Sequence, residues 1–203
     1  MHYTTRPLDQ TTWEAFEELV VRNNGVFGGC WCMGGYPEGL SRTDPEVNRA
    51  NKYRRVQEGT AHAALVFDEH GRAQGWCQYG GPDELTRVKH RRAYDTEPPA
   101  RPDWRIQCFF VDPRHRGQGI ARVALEGALE QIAERGGGLV EAISEVTAGR
   151  QAHGRFLFSA TLELFEQYGF TRGRQLGKHA YLVSKLIEPL TGEQLSRSPQ
   201  LDP

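Results

Sequence analysis

Net charge is nearly absent: 25 Lys and Arg against 26 Asp and Glu leave −1 over 203 residues. No global field draws the chain toward nucleic acid or an acidic membrane surface. Long apolar runs are missing too. None approaches the ~18 residues of a membrane span. The start, Met1-His2-Tyr3-Thr4-Thr5-Arg6, has no apolar core of a signal peptide. A cytoplasmic protein with no nucleic-acid and no membrane partner is expected. The basic stretch Lys89-His90-Arg91-Arg92 reads as solvated surface.

Cysteine is scarce: Cys30, Cys32, Cys77 and Cys108. Cys30 and Cys32 stand too close in sequence for an easy disulfide, and scattered cysteines in a cytosolic chain are usually reduced. One Cys-x-Cys lacks the second pair or spaced histidines of a zinc site, so no metal is expected. Repeats and low-complexity tracts are absent. The length suits one domain, read as 1–187, with a polar, proline-bearing tail at 188–203.

What is present is an alternation of strands and helices. His2–Pro7 reads as a strand. Thr11 or Thr12 caps a helix to about Arg22, with Trp13, Phe16, Leu19 and Val20 on one stripe. Asn23–Gly39 is too rich in glycine for a long helix. Asp44-Pro45 opens a second helix that ends near Gly59. Ala61–Asp68 and Ala73–Tyr79 form a hairpin, and Pro82–Pro102 is a polar surface excursion. Trp104–Asp112 is apolar on both faces and therefore central. Strict alternation puts Trp104, Ile106, Cys108 and Phe110 on one face, Gln107, Phe109 and Val111 on the other. A helix over Gly119–Arg135, a strand over Leu139–Ser144, a short helix capped by Ser159 and strands over Phe170–Leu176 and His179–Ile187 complete an α/β three-layer plan.

The junction after Val111-Asp112-Pro113 carries the chemistry. A buried strand runs through a glycine-rich turn straight into an amphipathic helix. Such a helix start leaves backbone N–H groups unpaired, and the dipole adds positive potential, which suits a pyrophosphate. Gly117 and Gly119 let the backbone approach the anion; Arg114 and Arg116 add charge. A dinucleotide fingerprint would need a third glycine where Arg122 stands, and no Gly-Lys-Ser/Thr of a Walker loop is present.

Val111-Asp112-Pro113-Arg114-His115-Arg116-Gly117-Gln118-Gly119-Ile120-Ala121 resembles the GCN5-related N-acetyltransferase (GNAT) family, whose signature Gln/Arg-x-x-Gly-x-Gly/Ala is filled by Arg116, Gly119 and Ala121. Phe165-Glu166-Gln167-Tyr168-Gly169-Phe170 is similar to the family's closing helix and following strand. Cys30-Trp31-Cys32-Met33 and Gly75-Trp76-Cys77 look like a bacterial subgroup of it. The resemblance implies a mixed, mostly antiparallel central sheet flanked by helices. It implies acetyl-CoA as co-substrate and a small-molecule or peptide amine as acceptor, attacked directly. The pantetheine arm would enter beside Phe109, Phe110 and Val111, where a backbone N–H polarises the acetyl carbonyl. Gly117, Gln118, Gly119, Ile120, Ala121 and Arg122, with Arg116, would hold the pyrophosphate.

The chemistry needs a base for the ammonium and an acid for the leaving thiolate. Glu141 and Glu145 are candidate bases, each also readable as an ordinary exposed strand residue. The family often has a tyrosine where Phe165 stands, and phenylalanine donates no proton. Trp31 and Cys108 are candidates for the acceptor pocket; Trp31 reads equally as a loop anchor. Cys108 reads as an acyl acceptor or as a buried apolar thiol. A non-catalytic CoA-binding module on the same fold is the alternative. Monomer and homodimer both stay open.

Overall fold

The computed structural model describes residues 2–42, 44–97, 99–147 and 158–191. The tail expected from 188 lies outside the described residues from 192 onward.

One seven-stranded sheet organises the chain. Its strands are β1 (Thr4–Pro7), β2 (His62–Phe67), β3 (Ala73–Gly80), β4 (Trp104–Val111), β5 (Gly138–Glu145), β6 (Thr171–Gln175) and β7 (Ala180–Ile187). They lie in the order β1-β2-β3-β4-β5-β7-β6, and only β4 and β5 pair in parallel. The sheet is mixed and mostly antiparallel, as the family resemblance implies.

The helices cover both faces. α1 (Trp13–Val21) buries Trp13, Phe16, Leu19 and Val20. α2 (Pro45–Gln57) is capped by the Asp44 carboxylate, which accepts from the N–H groups of Glu46 and Val47. Its buried stripe is polar, with Asn48, Lys52 and Val56 four residues apart. α4 (Ile120–Glu134) buries Ile120, Ala124, Leu125, Ala128, Leu129 and Ile132. It ends where Gly137 N–H returns to Ile132 C=O (2.9 Å), with Gly136 at φ 100°. α5 is Leu162–Gln167, capped by Thr161, whose hydroxyl accepts from Leu164 N–H at 3.2 Å. Ser159, expected as that cap, sits two residues earlier, and its hydroxyl has no partner among the described residues.

Two expectations need correction. The excursion over Pro82–Pro102 contains a helix, α3 (Arg91–Thr96), which packs Tyr94 inward. The alternation of β4 also fails at one residue. Gln78 pairs with Cys108 and Tyr79 with Ile106, so Gln107 is an extra residue on β4. Ile106 and Phe109 therefore share the core under α4 and α5. Cys108 and Phe110 face the other core, with Phe16, Trp31 and Trp76.

Asp112 fixes the exit from β4. Its buried carboxylate accepts from the Arg114 N–H and guanidinium, from Arg22 and from Asn23. Against the upward push of burial, these donors hold its carboxyl far below the ordinary range. A carboxyl depressed in the fold contributes stability above its unfolded value, near 3.9, and loses it as pH falls through the folded value. Chemical denaturation as a function of pH should show the wild type losing more stability than Asp112→Asn on acidification. Thr161→Ala should cost about 1 kcal/mol in the same assay, and Ser159→Ala far less.

Candidate functional site

The site begins where β4 leaves β5. Both strands have eight residues, yet only Trp104↔Val140, Arg105↔Glu141 and Ile106↔Ala142 pair. Beyond Ile106 the strands part, just where Gln107 bulges. Phe109 N–H, beyond the parting, donates to the carbonyl of Phe158 at 2.6 Å. Phe109, Phe110 and Val111 thus border the opening with their backbone, while Phe110 stacks on Trp76 (4.7 Å, 30°).

At the foot of β4 the chain makes a short 3-10 turn (Pro113–His115) and enters α4. Gly119 precedes α4 at φ 82° with no side-chain cap. The N–H groups of Gly117, Gln118, Gly119, Ile120 and Ala121 have no acceptor among the described residues. A Cβ placed on Gly117 or Gly119 would meet nothing within 4 Å. The turn is therefore an open cradle of unpaired donors, the arrangement a diphosphate needs. Arg116, Gln118 and Arg122 are exposed around it, and Ile120 anchors it in the core. Arg114 is committed to Asp112. The cradle fits the diphosphate of a CoA thioester.

On the other side of the parting lies a cavity of about 830 Å³. Glu141 and Cys108 line it, as do Cys30 and Cys32 of the glycine-rich loop. Glu141 is 4% exposed. It accepts from Arg105 Nε at 2.6 Å, and the Tyr94 hydroxyl lies 3.0 Å from both its oxygens. Burial, then the Glu141 charge, pushes the Tyr94 hydroxyl up, so it stays a donor. Arg105 is further fixed by the carbonyl of Leu85 at 3.0 Å. Arg42, Arg87, Lys89 and Arg105 line the wall with Glu141; Arg105 is paired with Glu141 and Lys89 with Glu145.

The other sequence-derived candidates fall elsewhere. Glu145 ends β5, pairs with Lys89, and lines a smaller adjoining recess instead of the large cavity. Trp31, read as a pocket wall or a loop anchor, is the anchor: it is buried and stacks on Trp13 at 6.1 Å. Phe165 is fully buried and meets Phe109 edge-on at 6.0 Å. Tyr168, pushed up to about 12 by burial and by Glu126, is held on α4.

Sequence reasoning missed Tyr94, Arg105 and Ser159. Tyr94 was hidden in a stretch read as polar loop. Arg105 stands next to Trp104 at the start of a central strand, and a charge inside such a strand signals a buried partner. Ser159 is 6% exposed, lines the cavity beside Phe158, and its hydroxyl has no partner among the described residues.

Solved structures share this fold. A Corynebacterium glutamicum protein, described as histone acetyltransferase HPA2 and related acetyltransferase, superposes with a TM-score of 0.54 at 15% identity, covering 94% of this chain and 98% of its own. A spermidine/spermine N-acetyltransferase of Vibrio cholerae gives 0.53 at 12%, covering 98% and 100%. A phosphinothricin acetyltransferase of Sinorhizobium meliloti, in complex with AcCoA, gives 0.51 at 13%, covering 98% and 94%. No curated protein matches the sequence. The family model of the acetyltransferase (GNAT) family matches residues 13–170. With the parted β4 and β5, the open donor cradle and this match along most of its length, the chain belongs to the GNAT acetyltransferase family.

Proposed function

We propose that the protein transfers an acetyl group from acetyl-CoA to a primary amine by direct attack. The observation that carries this reading is the pairing of unsatisfied N–H groups on residues 117–121 with the parting of β4 from β5. Donors for a diphosphate and a slot for an extended arm lie along one edge. Bound acetyl-CoA supplies the thioester carbonyl that the amine attacks.

The chain's residues have separable tasks. Phe109 N–H, freed from Phe158, donates to the carbonyl oxygen as charge builds on it. Glu141 receives the acceptor's ammonium proton. Tyr94 and Arg105 hold it, yet a carboxylate has about four lone-pair sites, so acceptor capacity remains. Glu145 lines the smaller recess instead of the large cavity and is less suited to that role. Phe165 has no proton to give, and Ser159 takes the task of donating to the departing thiolate. The cationic wall favours an acceptor that carries a carboxylate besides its amine.

The alternative, a CoA-binding module without turnover, draws on Phe165 in place of tyrosine. Product formation decides between them. Labelled acetyl-CoA with a panel of amino acids, simple amines and polyamines should give acetylated product, with the lowest KM among carboxylated amines. Binding without product from any acceptor would favour the module. Gly119→Glu should raise the acetyl-CoA Kd more than about tenfold, the scale of 1.4 kcal/mol. Ser159→Ala should lower kcat by about a hundredfold at unchanged KM for acetyl-CoA. Arg87→Ala should raise KM selectively for carboxylated acceptors.

A further inference from the structure

The acceptor cavity is larger than the smallest amines need. Its volume of about 830 Å³ lies toward the upper end for small-ligand sites, which run roughly 300–1,000 Å³. A short amine drawn to Glu141 would leave most of that volume to water. The lining divides by chemistry. Glu141 is its buried anion. Arg42 and Arg87 are cations with no carboxylate partner among the described residues. The Arg87 side chain makes one hydrogen bond there, from Nη2 to the Pro37 carbonyl at 3.4 Å.

Phe27 and Leu40 supply an apolar side. They are 44% and 37% exposed, large apolar side chains left facing solvent. Single exposed apolar side chains are ordinary. These two instead border one cavity, whose wall continues with Val88, Ile143 and Phe158. Phe27 is held in place. Its backbone and that of Val26 both lie at φ 49°, in the left-handed region that such side chains rarely adopt. Val26 is buried, and its carbonyl accepts from the N–H groups of Gly29 (3.2 Å) and Cys30 (2.9 Å). Strain of this kind persists where the surroundings enforce it, and it clusters at ligand clamps. The Phe27 ring meets Phe110 edge-on at 6.3 Å, so it stands beside the strand that borders the opening. Arg87 is placed as firmly. Its N–H donates to the Gly35 carbonyl at 3.0 Å, and its carbonyl accepts from Gln107 Nε2 at 2.9 Å. Its guanidinium lies over Gly39, where a Cβ would come within 2.7 Å of Cζ.

We propose that the acceptor is a free amino acid with a bulky apolar side chain, seated on Phe27 and Leu40, with its carboxylate toward Arg87 and its amine toward Glu141. This rests on the proposed acetyl transfer and names the acceptor class for it. Each group of such a molecule has a counterpart in the cavity lining. A polyamine would bring further positive charge against Arg42 and Arg87. An acidic side chain on Phe27 and Leu40 would lose hydration without gaining a partner. Glycine would cover neither of them, and apolar contact contributes affinity in proportion to the area removed from water. Gly34 sets the size limit. It lines the cavity, its backbone is outside the left-handed region, and a Cβ placed on it meets nothing within 4 Å. A larger residue at that position would grow into the open space without backbone strain.

The test uses the full chain and separates binding from turnover. Titration calorimetry in the presence of CoA, with L-phenylalanine, L-leucine, glycine, L-glutamate and spermidine, reads binding alone. L-phenylalanine and L-leucine should bind at least about tenfold tighter than glycine. Phenethylamine, which lacks the carboxylate, should bind at least about tenfold more weakly than L-phenylalanine. The double variant Phe27→Ala, Leu40→Ala should lower the affinity ratio of L-phenylalanine over glycine about tenfold. Gly34→Val should lower the same ratio by filling the cavity, and it decides the matter if the double variant does not fold. Labelled acetyl-CoA should then give N-acetyl-L-phenylalanine. Binding of L-phenylalanine without product would contradict the transfer reading and leave this ligand class standing. No binding of either apolar amino acid, tighter binding of glycine, L-glutamate or spermidine, or a ratio that neither variant moves would overturn the proposal.

Discussion

The molecule turns on one break in hydrogen bonding. β4 and β5 pair over three residues and then separate. The bulge at Gln107 coincides with that point. Without it, Phe109 would exchange faces with Cys108, and the core under α4 would lose a ring that packs on Phe165. With it, two central strands expose backbone inside the protein, which a continuous sheet never allows. Phe158 satisfies one of those groups through its carbonyl. The thioester carbonyl of the proposed reaction is the same kind of acceptor.

The two sides of the break are chemically unlike. Toward α4 the surroundings are main-chain donors and a helix start, suited to a diphosphate. Toward the glycine-rich loop there are thiols, guanidinium groups and one buried carboxylate. Asp112 stands between them, binding Arg22 of α1's end and Arg114 of the turn, so the position of the donor cradle is coupled to the packing of the first helix. Polar residues on α2 serve the second side. Asn48 fastens the loop through the carbonyls of Gly29 and Ser41 (both 2.8 Å), and Lys52 meets the Tyr36 hydroxyl at 3.3 Å. That explains why α2 buries a polar stripe, a poor choice if its role were packing alone.

Much of this was legible beforehand. Each of the long elements could be located from periodicity and punctuation: Trp13, Phe16, Leu19 and Val20 recur at helical spacing, and Gly136-Gly137 ends α4 through its main-chain bonds. The cradle was legible because its glycines do the work themselves, through backbone freedom and the absence of a side chain. The bulge was not. One extra residue leaves no mark on an apolar run, and alternation misplaces Ile106 relative to Cys108. Tyr94 and Arg105 were invisible for a related reason: their importance lies in meeting Glu141 across 47 and 36 residues of sequence. Trp31 shows another limit: a tryptophan beside glycines can wall a pocket or anchor a loop, and only packing decides. The resemblance to the family carried the fold further than pattern could, but gave no role to Tyr94 or Arg105.

The central claim is that the amides of β4 beyond the break and of the turn before α4 act together on one thioester carrier. Amide chemical shifts recorded while acetyl-CoA is titrated into isotope-labelled protein test it directly. Phe109, Phe110 and Val111 should move with Gly117, Gly119 and Ile120 along one saturation curve, with Phe158 perturbed alongside. If the turn and Phe109 kept their shifts while another region responded, or if no amide moved at all, the account of this site would be contradicted.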